Sequence, residues 1–288
     1  MNPIVESIEL MQKRYKDDAT KISKSVETLR RMAQEECAQY PEKYDSRDVE
    51  LLDKSTEISM ISYLESHGWQ IQSAFESLRS HSLWRKQVNL HDLSLSDIPL
   101  EIVQTGIFHP FGKDKFGHPL LFIRMSRCGT PKEASHLMVK YFLWSAEQMR
   151  SQVLNGSHKF AMIFDCRKPQ VNLSLVREIL SLYTTYYPLS VAYIAFLDMN
   201  FSFKMVYQVI KYFFPKYFRQ QMFTIDLDTL KEVIDDDNMP FFIGGKQIGF
   251  SEKNLTLCPP LSEYIAENEE PSDLKEKVEN FLNKVADL

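Results

Sequence analysis

Apolar residues return every three or four positions from the start of the chain: Ile4, Ile8, Met11, Tyr15, Ala19, Ile22, Val26, Leu29, Ala33, Cys37 and Tyr40. That is ten steps over 36 positions, the ~3.6 spacing of a single α-helix rather than the ~3.5 of a long coiled coil. No Gly or Pro falls between Pro3 and Pro41. The pattern predicts a helix, broken at most once, lying along the domain, with a partner helix or a membrane surface as the sharper reading of its apolar face. After a turn from Pro41 to Asp48, helical patterns follow at Asp48–Lys54, Thr56–Ser66 and Ile71–Val88. A loop at Asp92–Pro99 leads to a short helix near Leu100–Gln104.

From Lys113 the period changes. The segment Lys113 to His118 reads as a turn, with Gly117 suited to positive φ, and the apolar run LLFIRM follows it. Strand-length runs recur at Phe160–Asp165, Val191–Leu197 and Met222–Asp226, separated by helical patterns at Lys132–Val153, Leu173–Tyr186 and Phe201–Phe213. Apolar strands alternating with helices of this length predict an α/β layer with a largely parallel, doubly covered sheet. Near the end, Leu274, Val278, Phe281, Leu282 and Val285 mark an amphipathic helix that starts close to Pro271.

One helix reads wrongly for a surface element. Wound at 3.6 residues per turn, 201–214 places Asn200, Lys204, Gln208 and Lys211 on one narrow stripe and is apolar almost everywhere else. An ordinary surface helix keeps its apolar face to little more than ~100°. Both sides of this one need cover, one from protein and the other from a lipid or a membrane.

Composition narrows the partners. The net charge is −5 and the pI about 5.9, so no global positive field draws nucleic acid. Cys37, Cys128, Cys166 and Cys258 are widely spread, which fits a reducing compartment better than a disulfide framework or zinc site. The first residues lack the uninterrupted apolar core of a secretory signal. Asp198, Asn200, Lys204 and Lys211 interrupt the 191–214 run at a high cost in hydrocarbon, so a soluble chain is expected.

Catalytic motifs find no match. There is no GxGxxG, no Walker loop and no nucleophile elbow. Neither Cys166 nor Cys128 is followed six positions on by Arg, as a cysteine phosphatase requires; those positions hold Asn172 and Ala134. The seven histidines show no metal-ligand spacing. Asp165 and Asp198 sit just past strands and read as turn or cap residues, with a functional role at the strand ends as the alternative. No cofactor is implied, and the chain is expected not to be an enzyme.

In order and spacing, residues 44–250 resemble the CRAL-TRIO, or Sec14-like, lipid-binding family. The helical "RFLRAR" position is Ser62-Tyr63-Leu64-Glu65-Ser66-His67, followed by Trp69, Ala74 and Trp84-Arg85-Lys86. A "D-x-x-G-R-P" turn appears as Asp114-Lys115-Phe116-Gly117-His118-Pro119, a Tyr-Pro pair as Tyr187-Pro188, and an "LP-x-x-x-GG" end as Met239-Pro240-Phe241-Phe242-Ile243-Gly244-Gly245. Within the family, Lys43–Glu50, Leu83–Leu93 and the strand end at Asp198-Met199 look most like the CRAL-TRIO part of motile sperm domain-containing proteins. The likeness does not reach the MSP domain or membrane anchor of those relatives, so it implies no tethering at membrane contacts.

The resemblance implies a Sec14-like α/β fold. Its parts would be an N-terminal amphipathic helix (1–43), a helical subdomain (44–90), a lipid-binding domain with a mobile gate helix (91–250), and a tail with an amphipathic helix (251–288). The expected cavity wall is Phe122, Met162, Phe164, Ile194 and Phe196 from the sheet, with Phe203, Val206, Tyr207, Ile210 and Phe213 from the gate. A one-residue slip would exchange the two faces of any strand. An acyl chain of ~16 carbons loses roughly 0.8 kcal/mol per methylene in water, about 12 kcal/mol altogether. A carrier must therefore enclose its cargo and open only at a membrane, where Lys204, Lys211, Lys216 and Arg219 could favour anionic headgroups.

Phosphoinositide-binding members place basic residues where this chain has Glu65, Ser66 and His67, an acid at Leu189, and a lysine at Gln221. A less charged ligand is therefore expected. The expected partners are a hydrophobic ligand or phospholipid and a transient membrane surface, on a cytoplasmic protein peripheral to intracellular membranes. The alternative is a protein-interaction or membrane-recruitment module with little or no cavity, binding partners through its terminal helices.

Overall fold

The N-terminal periodicity resolves into two helices, α1 (Pro3–Asp17) and α2 (Ala19–Gln39). In the computed structural model, which describes residues 2–54, 56–156, 159–187, 191–212, 216–247 and 255–285, they meet at Asp18. The hydrogen-bond ladder continues across that joint, from the Asp18 amide to the Arg14 carbonyl at 3.0 Å and from the Ile22 amide to the Asp18 carbonyl at 2.9 Å. The joint lets one apolar stripe serve two cores. Ile4 and Ile8 lie against one face of the sheet, whereas Ile22, Val26, Leu29, Ala33 and Cys37 complete a helical cluster with the next three helices. Asn2 fixes the start: its Oδ1 accepts from the Ile4 amide at 3.0 Å, and its side-chain amide donates to the Thr229 carbonyl at 2.9 Å.

α3 (Ser46–Lys54), α4 (Glu57–Ser66) and α5 (Ile71–Gln87) form the helical subdomain with α2. Glu65, which the resemblance sets at a position expected to be basic, pairs with the fully buried Lys159 at the start of the third strand and accepts a hydrogen bond from Tyr15 at 3.1 Å. The inverted charge thus joins the subdomain to the sheet and to α1.

After α6 (Leu100–Gln104), five strands form one sheet in the order β1 (Phe108–Lys113), β2 (Pro119–Arg124), β3 (Phe160–Asp165), β4 (Val191–Leu197) and β5 (Met222–Ile225). The last four are parallel and β1 pairs antiparallel with β2. β1 is absent from the sequence reading because His109, Pro110 and Gly112 break both apolar periods. The β1–β2 turn is organised by Asp114, whose Oδ1 accepts from the amides of Phe116 at 3.0 Å and His118 at 2.8 Å. Its Oδ2 lies 2.8 Å from the His118 ring and accepts from the Tyr193 hydroxyl at 3.1 Å, while Gly117 takes φ +89°.

The parallel strands run in sequential order, and right-handed crossovers then bring their connections to one face. α7 (Ser135–Asn155), α8 (Leu173–Tyr186) and α9 (Phe201–Lys211) accordingly share the largest core cluster with that face. A short α10 (Lys216–Arg219) precedes β5. The opposite face is covered by α1, α11 (Leu227–Val233) and the segment from Met239 to Ile243. The tail contributes α12 (Leu261–Asn268) and α13 (Leu274–Val285), and Leu261, Tyr264, Leu274 and Val278 join the same cluster as α7. The apolar stripes of both terminal segments thus pack largely against the domain itself.

The Gly-Gly end closes the far face. Gly244 takes φ +93°, and a Cβ on Gly245 would stand 2.0 Å from the Met239 carbonyl oxygen and 2.4 Å from its carbon. Backbone cannot yield as a flexible side chain can, so Gly245→Ala is expected to cost about 3 kcal/mol or more. A shift of the urea midpoint worth under about 1 kcal/mol would contradict that packing.

Candidate functional site

α9 begins where Asn200 accepts a hydrogen bond from the Phe203 amide at 2.8 Å, so one residue of the polar stripe is the helix cap. Asp198 precedes it in a turn at φ +50°, its amide donating to the Ile225 carbonyl. Asp165 likewise closes a turn by accepting from the Arg167 amide at 3.2 Å. Around the helix, Phe203 and Tyr207 are buried at 4% and 5% exposure. Phe201, Met205 and Tyr212, the last just past its end, are exposed at 79%, 65% and 74%. The helix is therefore apolar on two sides, one covered by the sheet and one open.

Beneath it lies an apolar cavity of about 90 Å³. Its floor is Ile123, Met162, Phe164 and Phe196 from the sheet, its roof Phe203 and Tyr207, and its side walls Phe108, Phe142 and the α8 stripe Leu175, Val176, Ile179, Leu180 and Tyr183. Phe164 and Phe196 stack at 4.9 Å, and Tyr207 leans on Phe196 at 4.7 Å between ring centroids. Burial pushes the Cys128 thiol up to about 12, so it contributes to the wall as a neutral, apolar group.

Of the residues read from the sequence, Met162, Phe164, Phe196, Phe203 and Tyr207 surround this void. Ile194 shares their core cluster but stands back from the void. Phe122 is a correction: it lies on the opposite face, with Ile4, Ile163 and Tyr193. Register explains this, since Ile123 pairs with Phe164 and Phe122 with Ile163, and every residue from Pro119 to Ile123 is buried. With no polar position to mark a face, alternation cannot say which residues point to the cavity. Val206 and Ile210 belong to α9, but their side chains lie outside the described residues, as does the whole of Phe213.

The walls from β1 and α8 went unread as cavity residues. For α8 a signal existed: 175, 176, 179, 180 and 183 form a helical stripe. Nothing separated it from ordinary core. Gln221, which replaces the lysine of phosphoinositide binders, is half-buried beside β5, and its Oε1 has no partner among the described residues.

A sequential parallel sheet with an antiparallel edge, roofed by an apolar helix and preceded by a helical subdomain, is the Sec14-like class of α/β fold. The family model of the CRAL/TRIO domain matches residues 103–245, so the chain carries a CRAL/TRIO domain. Among solved structures it is similar to the crystal structure of Sfh5, with a TM-score of 0.59 and 16% identity over 85% of this chain and 97% of that one. Among the described residues no helix is long and apolar enough to cross a membrane, and no group of His, Cys, Asp and Glu could hold a metal.

Proposed function

We propose that the chain is a non-catalytic carrier that binds a hydrophobic ligand or phospholipid under α9 and exchanges it at membrane surfaces. The observation that carries this reading is the two-sided helix: Phe203 and Tyr207 roof an apolar void while Phe201, Met205 and Tyr212 face outward. As it stands, the void holds little more than a few water volumes of ~30 Å³ each, whereas ligand pockets span roughly 300–1,000 Å³. Loading therefore requires α9 to swing outward and withdraw its two aromatic side chains, turning it into a gate. Such a protein would work in the cytoplasm and attach peripherally to intracellular membranes. Residues 43–50 and 83–93 support a likeness to the CRAL-TRIO part of motile sperm domain-containing proteins, and the missing headgroup bases favour a ligand other than a phosphoinositide.

Native mass spectrometry with lipid extraction tests the carrier. Protein purified from cells, or incubated with phosphatidylcholine vesicles, should carry about one lipid per chain. Val176→Trp, which fills the void from α8, should lose that lipid with an unchanged circular dichroism spectrum. The small resting volume favours a second reading, a recruitment module whose exposed aromatic patch binds a surface without loading anything. Wild-type protein that stays lipid-free in both preparations would decide for it.

A further inference from the structure

Three arginines gather at the carboxyl edge of the strands with too few carboxylates to match them, Arg124 and Arg167 on the sheet face away from the cavity and Arg127 just past the end of β2. β2 ends at Arg124 and β3 at Asp165, which are register partners. Strict alternation puts both on the face of Phe122 and Ile163. Asp165 is already taken: it accepts from Arg167 Nε at 2.8 Å and Nη2 at 2.9 Å. Arg167 also donates to the Phe242 carbonyl. Arg124 lies over the Phe242 ring, 4.5 Å from its centroid. Among the described residues its guanidinium has no hydrogen bond and no ion pair, and its Nε is buried without a partner. Arg127, three residues on, has among the described residues a single hydrogen bond, from Nη1 to the Thr105 carbonyl at 2.9 Å, and an equally unpartnered Nε.

A half-buried cation without a counter-charge is costly. Arginine cannot escape by giving up its proton near neutrality. The surrounding charges make matters worse for Arg124: burial, then Arg127, pull its guanidinium down to about 10, with Arg167 adding to them and only Asp165 opposing. Asp198 acts on Arg167 but not on Arg124 or Arg127. Two of the three guanidiniums are thus left to face an anion, and a planar fork held flat on an aromatic ring is pre-set for bidentate contact with a tetrahedral oxyanion. The carboxyl edge of a parallel sheet is also where open α/β folds receive ligands.

We propose that Arg124 and Arg127, backed by Arg167, bind a phosphate group at the carboxyl edge of the sheet, on the face opposite the apolar cavity. The chemistry is shared by a free phosphate compound and by the headgroup of an anionic lipid, and the site is separate from the cavity beneath α9.

The test titrates the full chain with inorganic phosphate at constant ionic strength against chloride, by calorimetry, and in parallel with phosphatidylcholine vesicles with and without phosphatidate. Arg124→Gln and Arg127→Gln are compared with the wild type; Arg167 is left intact because it holds Asp165 and Phe242. Phosphate binding that weakens about tenfold or more in both variants supports the site with a free phosphate as its ligand. Binding to phosphatidate vesicles alone, lost in the same two variants, supports it with a lipid headgroup as the source. Wild-type protein that prefers neither phosphate nor phosphatidate, or variants that bind as well as wild type, would overturn the assignment. Should Arg124→Gln fail to fold, Arg127→Gln and the wild-type titration still decide, since Arg127 holds only one carbonyl.

Discussion

Replacing Phe201, Met205 and Tyr212 together by Asp is expected to reduce vesicle-to-vesicle lipid transfer by about two orders of magnitude and to leave the fold intact. Fully burying such a side chain is worth roughly 1.5–3 kcal/mol. Half of that, summed over three, is about 3 kcal/mol, or roughly a hundredfold in the population of membrane-engaged protein. All three side chains are exposed, so each change should alter stability by no more than about 0.5 kcal/mol. A fluorescent-lipid transfer assay and an unfolding curve together check both halves. Transfer at the wild-type rate with normal stability would show that the outer side of α9 does not meet the membrane, and the gate would lose its main support. A tenfold loss accompanied by a large fall in stability would instead point to an unrecognised structural role for these side chains.

That prediction uses a feature that was legible in the chain from the start. The composition of 201–214 predicted a helix apolar almost all round but for one narrow polar stripe, and Phe203 and Phe201 do occupy opposite environments. The sheet was legible for a similar reason: four strands between helices of regular length leave few topologies. What could not be read was anything decided by register or by long-range contact. β2 and β4 are buried on both faces, so Phe122 and Ile123 are equivalent in sequence and opposite in space. β1 was hidden because His109, Pro110 and Gly112 interrupt any apolar alternation along it. The N-terminal stripe, read as a helix broken at most once, does break once, and what the sequence did not show is that its two halves serve different cores on either side of Asp18. Arg124 and Arg127 are separated in sequence from Arg167 and Phe242, and their shortage of counter-charges exists only once the strand ends are aligned.

The largest expected loss of stability lies in the charge network that fastens the helical subdomain to the α/β layer. Arg85, 1% exposed, donates from Nε to Asp48 at 3.0 and 3.2 Å and from Nη1 to Glu147 at 2.7 Å. Tyr187 donates to the same Glu147 oxygen at 2.8 Å, and His91 Nε2 lies 2.9 Å from Asp48. Four segments, α3, α5, α7 and the end of α8, therefore meet on one guanidinium. Burial pulls that guanidinium down, but Glu147 and Asp48 outweigh it and hold it above its ordinary range. Breaking such a pair from one side strands the other charge, at a loss of ~3–5 kcal/mol. Asp48→Ala should cost that amount in urea unfolding, and Arg85→Met/Asp48→Leu, which keeps apolar volume and leaves Glu147 to pair with Arg150 at 3.8 Å, should recover part of it. Trp84 stacks on Tyr186 at 4.1 Å with an 8° interplanar angle, so its emission would report separation of α5 from α8. An Asp48→Ala protein within about 1 kcal/mol of wild type would mean that Arg150, 3.4 Å from Asp48, and Glu147 redistribute the charge without help. If the loss occurs as expected, the network has a consequence for the cavity as well. α8 supplies a side wall of the void beneath α9, and a wall pinned to the subdomain would leave α9 as the element free to move.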